Sequence, residues 1–156
     1  MPAWYDIIGL DPAAKEDETG MWNTVDHIST LIQKEIDSGI PANRIVLGGF
    51  SQGAAMSLLH GLSTCTKLGG LAILSGYLPL LKKIQEVRKD VNLQTPILMC
   101  HGLEDEVVQY HWGKQSATKL KDLGHTVEFK QYSGMGHSAG QEEMEDLVTF
   151  LKRVLA

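Results

Sequence analysis

Residues 45–56 read Ile45-Val-Leu-Gly-Gly-Phe-Ser51-Gln-Gly-Ala-Ala-Met56. A continuous apolar run of the kind found in a buried parallel strand breaks at two glycines and exposes a serine. It then passes through another glycine into a helix-forming apolar run. A plain turn needs less than this. The spacing Gly49-Phe-Ser51-Gln-Gly53 is G-x-S-x-G, and between a strand and a helix it sets a serine on a sharp, strained turn with Oγ above the sheet. Glycines suit such a turn because backbone and helix approach too closely for a Cβ. Gln52 opens the helix, so its backbone N–H and the positive helix end face an oxyanion developing at the serine. The bland reading is a glycine-rich turn with Ser51 as a helix N-cap.

The surroundings favour the first reading. Upstream, Met21, Val25, Ile28, Leu31, Ile32 and Ile36 recur at helical spacing, preceded by the acidic Glu16-Asp17-Glu18 and stopped by Gly39. Residues 1–20 form an irregular approach with Pro2, Gly9 and Asp11-Pro12. Downstream, Leu71–Leu74 reads as a strand, and residues 80–92 as an amphipathic stretch carrying Leu81, Ile84, Val87 and Val91. Pro96–Cys100 reads as a strand, 111–123 as a helix ended by Gly124, Val127–Tyr132 as a strand, and Met144–Leu155 as a strongly periodic helix. Strands separated by helices predict βαβ units, hence an α/β fold with a parallel sheet and helices on both faces. With no repeat, low-complexity tract or linker, residues 1–156 are expected to form a single domain.

Composition narrows the function classes. Hydrophobic residues make up 43% and charged residues 21%, which excludes a disordered chain. The net charge of −5, from 14 basic against 19 acidic residues, and the absence of a Lys/Arg run argue against nucleic acid as a partner. Cys65 and Cys100 form no C-x-x-C pair, and both are expected to be buried free thiols in a reducing compartment. The N-terminal residues carry no signal-peptide pattern, and no apolar stretch approaches the roughly 20 residues that span a bilayer. A cytoplasmic location is expected.

A nucleophilic serine needs a base, and the base needs an orienting acid. In α/β-hydrolases the chain order is serine, acid, histidine, and the partners sit just past strand C-termini. After the strand ending at Cys100 comes His101-Gly-Leu-Glu-Asp105-Glu-Val-Val108, and after the strand ending near Tyr132 comes Ser133-Gly-Met-Gly-His137-Ser138. The order and the loop positions are both met. Glu104 and Glu106 flank Asp105 and remain candidates for the acid. His101 is expected to shape the acid loop, and His27, His60, His111 and His125 to be structural or exposed. None of them has metal-ligand spacing, so no metal is expected, and acyl transfer by a serine, a base and an acid needs no cofactor.

With Gly49-Phe-Ser-Gln-Gly53, His101-Gly-x-x-Asp105-x-Val-Val and Gly134-Met-Gly-His137-Ser in view, the chain resembles the acyl-protein thioesterases. These belong to the carboxylesterase/lysophospholipase type of α/β-hydrolase. Trp4-Tyr-Asp-Ile-Ile-Gly9, Glu16-Asp-Glu18, Arg44-Ile-Val-Leu-Gly-Gly49 and Leu74-Ser-Gly-Tyr-Leu-Pro79 extend the resemblance along the whole chain. It implies Ser51 as nucleophile, Asp105 as acid and His137 as base, with the Gln52 N–H as an oxyanion donor. It implies long-chain acyl thioesters on palmitoylated proteins as substrates, with lysophospholipids and small esters as further ones. The stretch Leu74–Leu81, notably Leu74, Tyr77 and Leu78, either walls an acyl channel or is ordinary core.

The resemblance also implies an upstream portion with a His-Gly-x-Gly-type loop supplying a second oxyanion donor, which precedes anything in this sequence. The expectation is therefore a partial α/β-hydrolase domain lacking the family's N-terminal strands, with weak turnover and an open sheet edge at Ile45-Val46-Leu47 through which copies could associate. The alternative is a catalytically silent hydrolase-like module that binds an acyl group or a partner.

Overall fold

The computed structural model describes residues 2–8 and 14–156; Gly9 and Asp11-Pro12 of the irregular approach lie outside the described residues. The order of elements is α1 (Glu18–Asp37), β1 (Val46–Phe50), α2 (Gln52–Ser63), β2 (Gly70–Leu74), α3 (Ile84–Val87), β3 (Ile97–Gly102), α4 (Tyr110–Asp122), β4 (Val127–Tyr132) and α5 (Gln141–Val154). A short 3₁₀ turn, Ala42–Arg44, leads into β1. The four strands form one parallel sheet in the order β1-β2-β3-β4, with Phe50 opposite Leu74, Leu74 opposite Cys100 and Gly102 opposite Tyr132. All four strands read from the sequence are present, and so is the parallel sheet.

This simple order decides where the helices go. Successive crossovers of one hand, stepping always to the next strand, land on one face. There α2 and α4 cover the sheet, and α1 lies on α2. Helix α5 follows the last strand and covers the opposite face, so helices do lie on both sides. The strands serve the two faces by alternation. Leu71, Ile73, Ile97 and Met99 join Ile28, Ile32, Met56, Leu59 and Leu120 in one core, whereas Ala72, Leu98 and Cys100 join Tyr132, Met135 and Phe150 in the other.

Helix α1 starts as its acidic approach predicts: the Asp17 side chain accepts the Gly20 N–H at 3.0 Å. It ends at Gly39, whose φ of +106° is one that side chains rarely adopt. Leu31, counted above in the apolar stripe of α1, is instead 44% exposed. The amphipathic stretch 80–92 yields only the single turn α3, because tertiary hydrogen bonds pull the chain out of the helix. The Lys89 N–H donates to Leu62 O at 2.7 Å, and buried Asn92 accepts Leu68 N–H at 2.9 Å while donating to Gly61 O at 3.0 Å. Cys100 is buried as expected, but Cys65 is exposed, since α2 ends at Ser63 and leaves it in the link to β2. Among the described residues no helix is long and apolar enough to cross a membrane.

His60 on α2 is buried, with Nε2 3.1 Å from the Ser29 Oγ of α1 and Nδ1 without a partner among the described residues. Burial disfavours its cation and brings its pKa down from 6.5 to about 4. The folded state therefore prefers the neutral ring, and stability is lost as pH falls from 6.5 towards about 4. A displacement of this size corresponds to about 3 kcal/mol. In thermal melts between pH 7 and pH 4, His60→Gln is expected to show a flatter acid limb than the parent chain.

Candidate active site

The three loops named in the sequence meet at the C-terminal rim of the sheet. β1 ends at Phe50, and the next residue, Ser51, takes φ 55° and ψ −117°, a conformation that strains any residue with a Cβ. Its neighbours hold it there. The Ser51 N–H donates to Leu74 O at 2.9 Å, carrying the β1–β2 ladder one step beyond the strand, and Ser51 O accepts the Ala55 N–H at 3.1 Å. A Cβ on Gly49 would fall on the backbone carbonyl of Gly53, so the first glycine of the motif is needed for close approach. At Gly53 itself the space is open apart from the Trp4 indole, whose Nε1 lies 3.6 Å from where a Cβ would stand. Ser51 stands at the N-cap position of α2, but its side chain makes no capping bond there and is left for His137.

His137 Nε2 lies 3.0 Å from Ser51 Oγ, and His137 Nδ1 lies 2.8 Å from Asp105 Oδ2. The Asp105 side chain is fully buried, and its other oxygen accepts the N–H groups of Val107 and Val108, each at 2.9 Å. A buried carboxylate that takes three hydrogen bonds on its two oxygens is held rigid, and it orients the Nδ1–H tautomer of His137. The Nε2 lone pair of that tautomer points at the serine hydroxyl.

Of the alternative acids, Glu106 is exposed, and Glu104 has another task. Its backbone N–H donates to Met135 O at 3.1 Å, and its carboxylate Oε2 accepts the Met135 N–H at 3.1 Å, which clamps the acid loop to the histidine loop. His101 shapes the acid loop as expected: its Nε2–H donates to Val108 O at 2.6 Å, and Nε2 stands 3.5 Å from Asp105 Oδ2. Burial holds the His101 pKa below the ordinary histidine value, so the ring adds no second positive charge beside Asp105. Sequence reading had no signal for Phe50, whose ring centroid lies 4.7 Å from that of His137 and supports one face of the imidazole.

The acyl-wall candidates separate. Tyr77 and Leu78 line an apolar pocket together with Tyr5, Ile7, Ile8, Leu81, Val108 and Trp112. Leu74 does not: period-two alternation on β2 sends Ile73 to the α2 face and Leu74 to the α5 face, where it packs on the second core. The pocket is tied to the Ser51–His137–Asp105 row on two sides. The Val108 N–H is bonded to Asp105, and Tyr5 O accepts the Gln52 side chain at 2.8 Å. Among the described residues no group of three or more His, Cys, Asp or Glu is placed to hold a metal ion.

Below the histidine loop, Glu143 in the first turn of α5 is fully buried, and neither carboxylate oxygen has a hydrogen-bond partner among the described residues. Burial raises its pKa above 4.5, so the folded state prefers the protonated acid and loses stability as pH rises from 4.5 through the folded value. Glu143→Gln is therefore expected to match the parent chain in thermal stability near pH 4 and to exceed it at neutral pH. Gly49→Ala is expected to lower the melting temperature, by an amount corresponding to about 1–3 kcal/mol of overpacking.

Comparison with known proteins bears on the family and the fold. The family model described as Phospholipase/Carboxylesterase matches residues 1–155. The chain is 48% identical over 158 residues to acyl-protein thioesterase 1 of Neurospora crassa, covering 97% of this chain and 64% of that protein. It is 49% identical over 162 residues to acyl-protein thioesterase 1 of Gibberella zeae, covering 99% and 69%. Among solved structures, Arabidopsis thaliana SOBER1 superposes with a TM-score of 0.90 at 32% identity, covering 99% of this chain and 74% of that one. The chain thus spans about two thirds of the length of the curated relatives it matches. On the sequence match and on the placement of its strands, loops and serine turn, this chain belongs to the phospholipase/carboxylesterase family of α/β-hydrolases.

Proposed function

We propose that the chain is a serine hydrolase of acyl thioesters and esters, with palmitoylated proteins as principal substrates and lysophospholipids as further ones. The observation that carries this reading is the hydrogen-bonded row Ser51–His137–Asp105, built from three loops on one rim. The thioester preference draws on the relatives named acyl-protein thioesterase 1.

In this mechanism Ser51 Oγ attacks the acyl carbonyl carbon while His137 Nε2 takes the hydroxyl proton. Negative charge on the carbonyl oxygen meets the Gln52 N–H at the start of α2, and one such donor is worth about 10²–10³ in rate. The C–S bond breaks, the thiolate takes the proton from His137, and an acyl ester remains on Ser51. Water, deprotonated by His137, attacks that ester; the C–Oγ bond breaks, Ser51 Oγ regains its proton from His137, and the fatty acid is released. Asp105 stabilises the imidazolium in both halves of the cycle. The pocket beside Tyr77 and Leu78 receives the acyl chain. Two free thiols, Cys65 and Cys100, support a reducing, cytoplasmic setting.

A second reading is favoured by the edge of the sheet. β1 has a strand on one side only among the described residues, and a hollow of about 550 Å³ runs beside it, lined by Trp4, Leu31, Leu47, Phe50 and Met56. The same edge on a second copy is self-complementary about a twofold axis, so β1 is a route to self-association of a module that binds acyl groups without turnover.

A fluorophosphonate probe is expected to label the parent chain and to leave Ser51→Ala unlabelled, and absence of label on the parent chain refutes the hydrolase reading. Asp105→Asn is expected to lower ester turnover by about 10³–10⁴ with little change in melting temperature. Sedimentation across a range of concentrations tests the edge, where Leu31→Lys is expected to reduce any dimer.

A further inference from the structure

We infer that the Gln52 side chain is a specificity-determining positioning residue that holds the wall of the acyl pocket against the nucleophile turn. This rests on the hydrolase reading above and assigns the side chain a task separate from that of its backbone N–H. The Gln52 amide is used at both ends: Oε1 accepts the Trp4 N–H at 2.8 Å, and Nε2 donates to Tyr5 O at 2.8 Å. It bonds the backbone of two successive residues at a bend, and both bonds need the one amide orientation. From there the chain runs directly into the pocket, which Tyr5, Asp6, Ile7 and Ile8 line in succession.

The other supports of this segment come from elsewhere in the fold. Thr24 Oγ1 of α1 donates to Trp4 O, the Asp6 N–H donates to the α1 cap Asp17 at 3.0 Å, and the Tyr5 hydroxyl is bonded to that of Tyr77. Ile7 and Ile8 are 57% and 58% exposed, so little packing holds them. The wall consequently depends on hydrogen bonds, and Gln52 makes the two that lead to the residue next to Ser51. On this inference a short acyl group ends before this wall, while a long one lies along it. Loss of the tether is therefore read in the dependence on acyl length, which a merely structural role would not move.

The test compares hydrolysis of p-nitrophenyl octanoate and p-nitrophenyl acetate, and measures decanoate binding to the Ser51→Ala protein. Gln52→Met removes both bonds at nearly constant size. It is expected to lower the octanoate-to-acetate ratio of kcat/KM about tenfold and to weaken decanoate binding in the Ser51→Ala background by a similar factor. Thr24→Val frees the same segment from α1, is expected to shift both quantities in the same direction, and stands in if Gln52→Met does not fold. An unchanged ratio with unchanged decanoate affinity overturns the inference, as does an equal loss on both esters with decanoate affinity intact. Failure of the phosphonate to label the parent chain removes the hydrolase reading alone, and decanoate affinity then decides whether the tether shapes the pocket.

Discussion

The bond between Asp105 Oδ2 and His137 Nδ1, 2.8 Å long, closes the rim of the sheet. It joins two loops that are 32 residues apart, and it does so at a carboxylate with no exposed surface. Burying such a charge is costly unless each lone pair finds a donor. Val107, Val108 and His137 provide those donors, so the shape of the acid loop and the orientation of the histidine depend on each other. The Glu104–Met135 clamp keeps the loops at the spacing this requires, and it continues the pairing of β3 with β4 past the strand ends.

On the opposite side of the histidine, strain takes the place of burial. Ser51, Ser75 and Leu80 are the non-glycine residues with positive φ among those described; Ser51 directly follows β1, Ser75 directly follows β2, and Leu80 precedes Leu81 of the pocket lining. Ser51 is kept in its conformation by the extended ladder to Leu74, and the Ser75 N–H continues the same pattern to Cys100 at 2.8 Å. Such backbone persists only where its surroundings over-determine it. The parallel sheet thus acts as a jig that presents successive strand ends at one level. The same regularity leaves β1 with an unpaired edge among the described residues, where Leu31 and Phe50 remain exposed.

Acid and base behaviour in this fold follows burial more than ion pairing. Desolvation lowers the pKa of His60 and His101 and raises that of Glu143, while the exposed pairs Lys83–Glu18 and Arg153–Glu128 are screened by solvent and contribute little. Glu143 lies only six positions after His137, so a buried acid without a hydrogen-bond partner among the described residues follows closely on the histidine loop.

Much was legible in the chain itself because its signals are local. Two glycines around a serine, a β run before it and a helical run after it define the turn without knowledge of the rest of the fold. The order of serine, acid loop and histidine loop places their residues past three strand ends. Other features have no local signature. Nothing near Glu104 or Glu106 in the sequence separates a loop clamp from a catalytic acid, because the choice depends on Met135, 31 residues away. The single turn α3 could not be foreseen, since its helix is ended by bonds to Leu62, Gly61 and Leu68. Leu74 and Leu78 are alike as apolar residues; the pleat of β2 assigns Leu74 to the α5 core, and Leu78, beyond the strand with its N–H bonded to Ser116 Oγ of α4, lines the pocket. By itself the sequence determined the parallel α/β plan and the three chemical groups, since periodicity and turn chemistry act within a few residues. The tertiary structure alone decided which side chains support those groups, because burial and hydrogen bonding join residues that the chain keeps far apart.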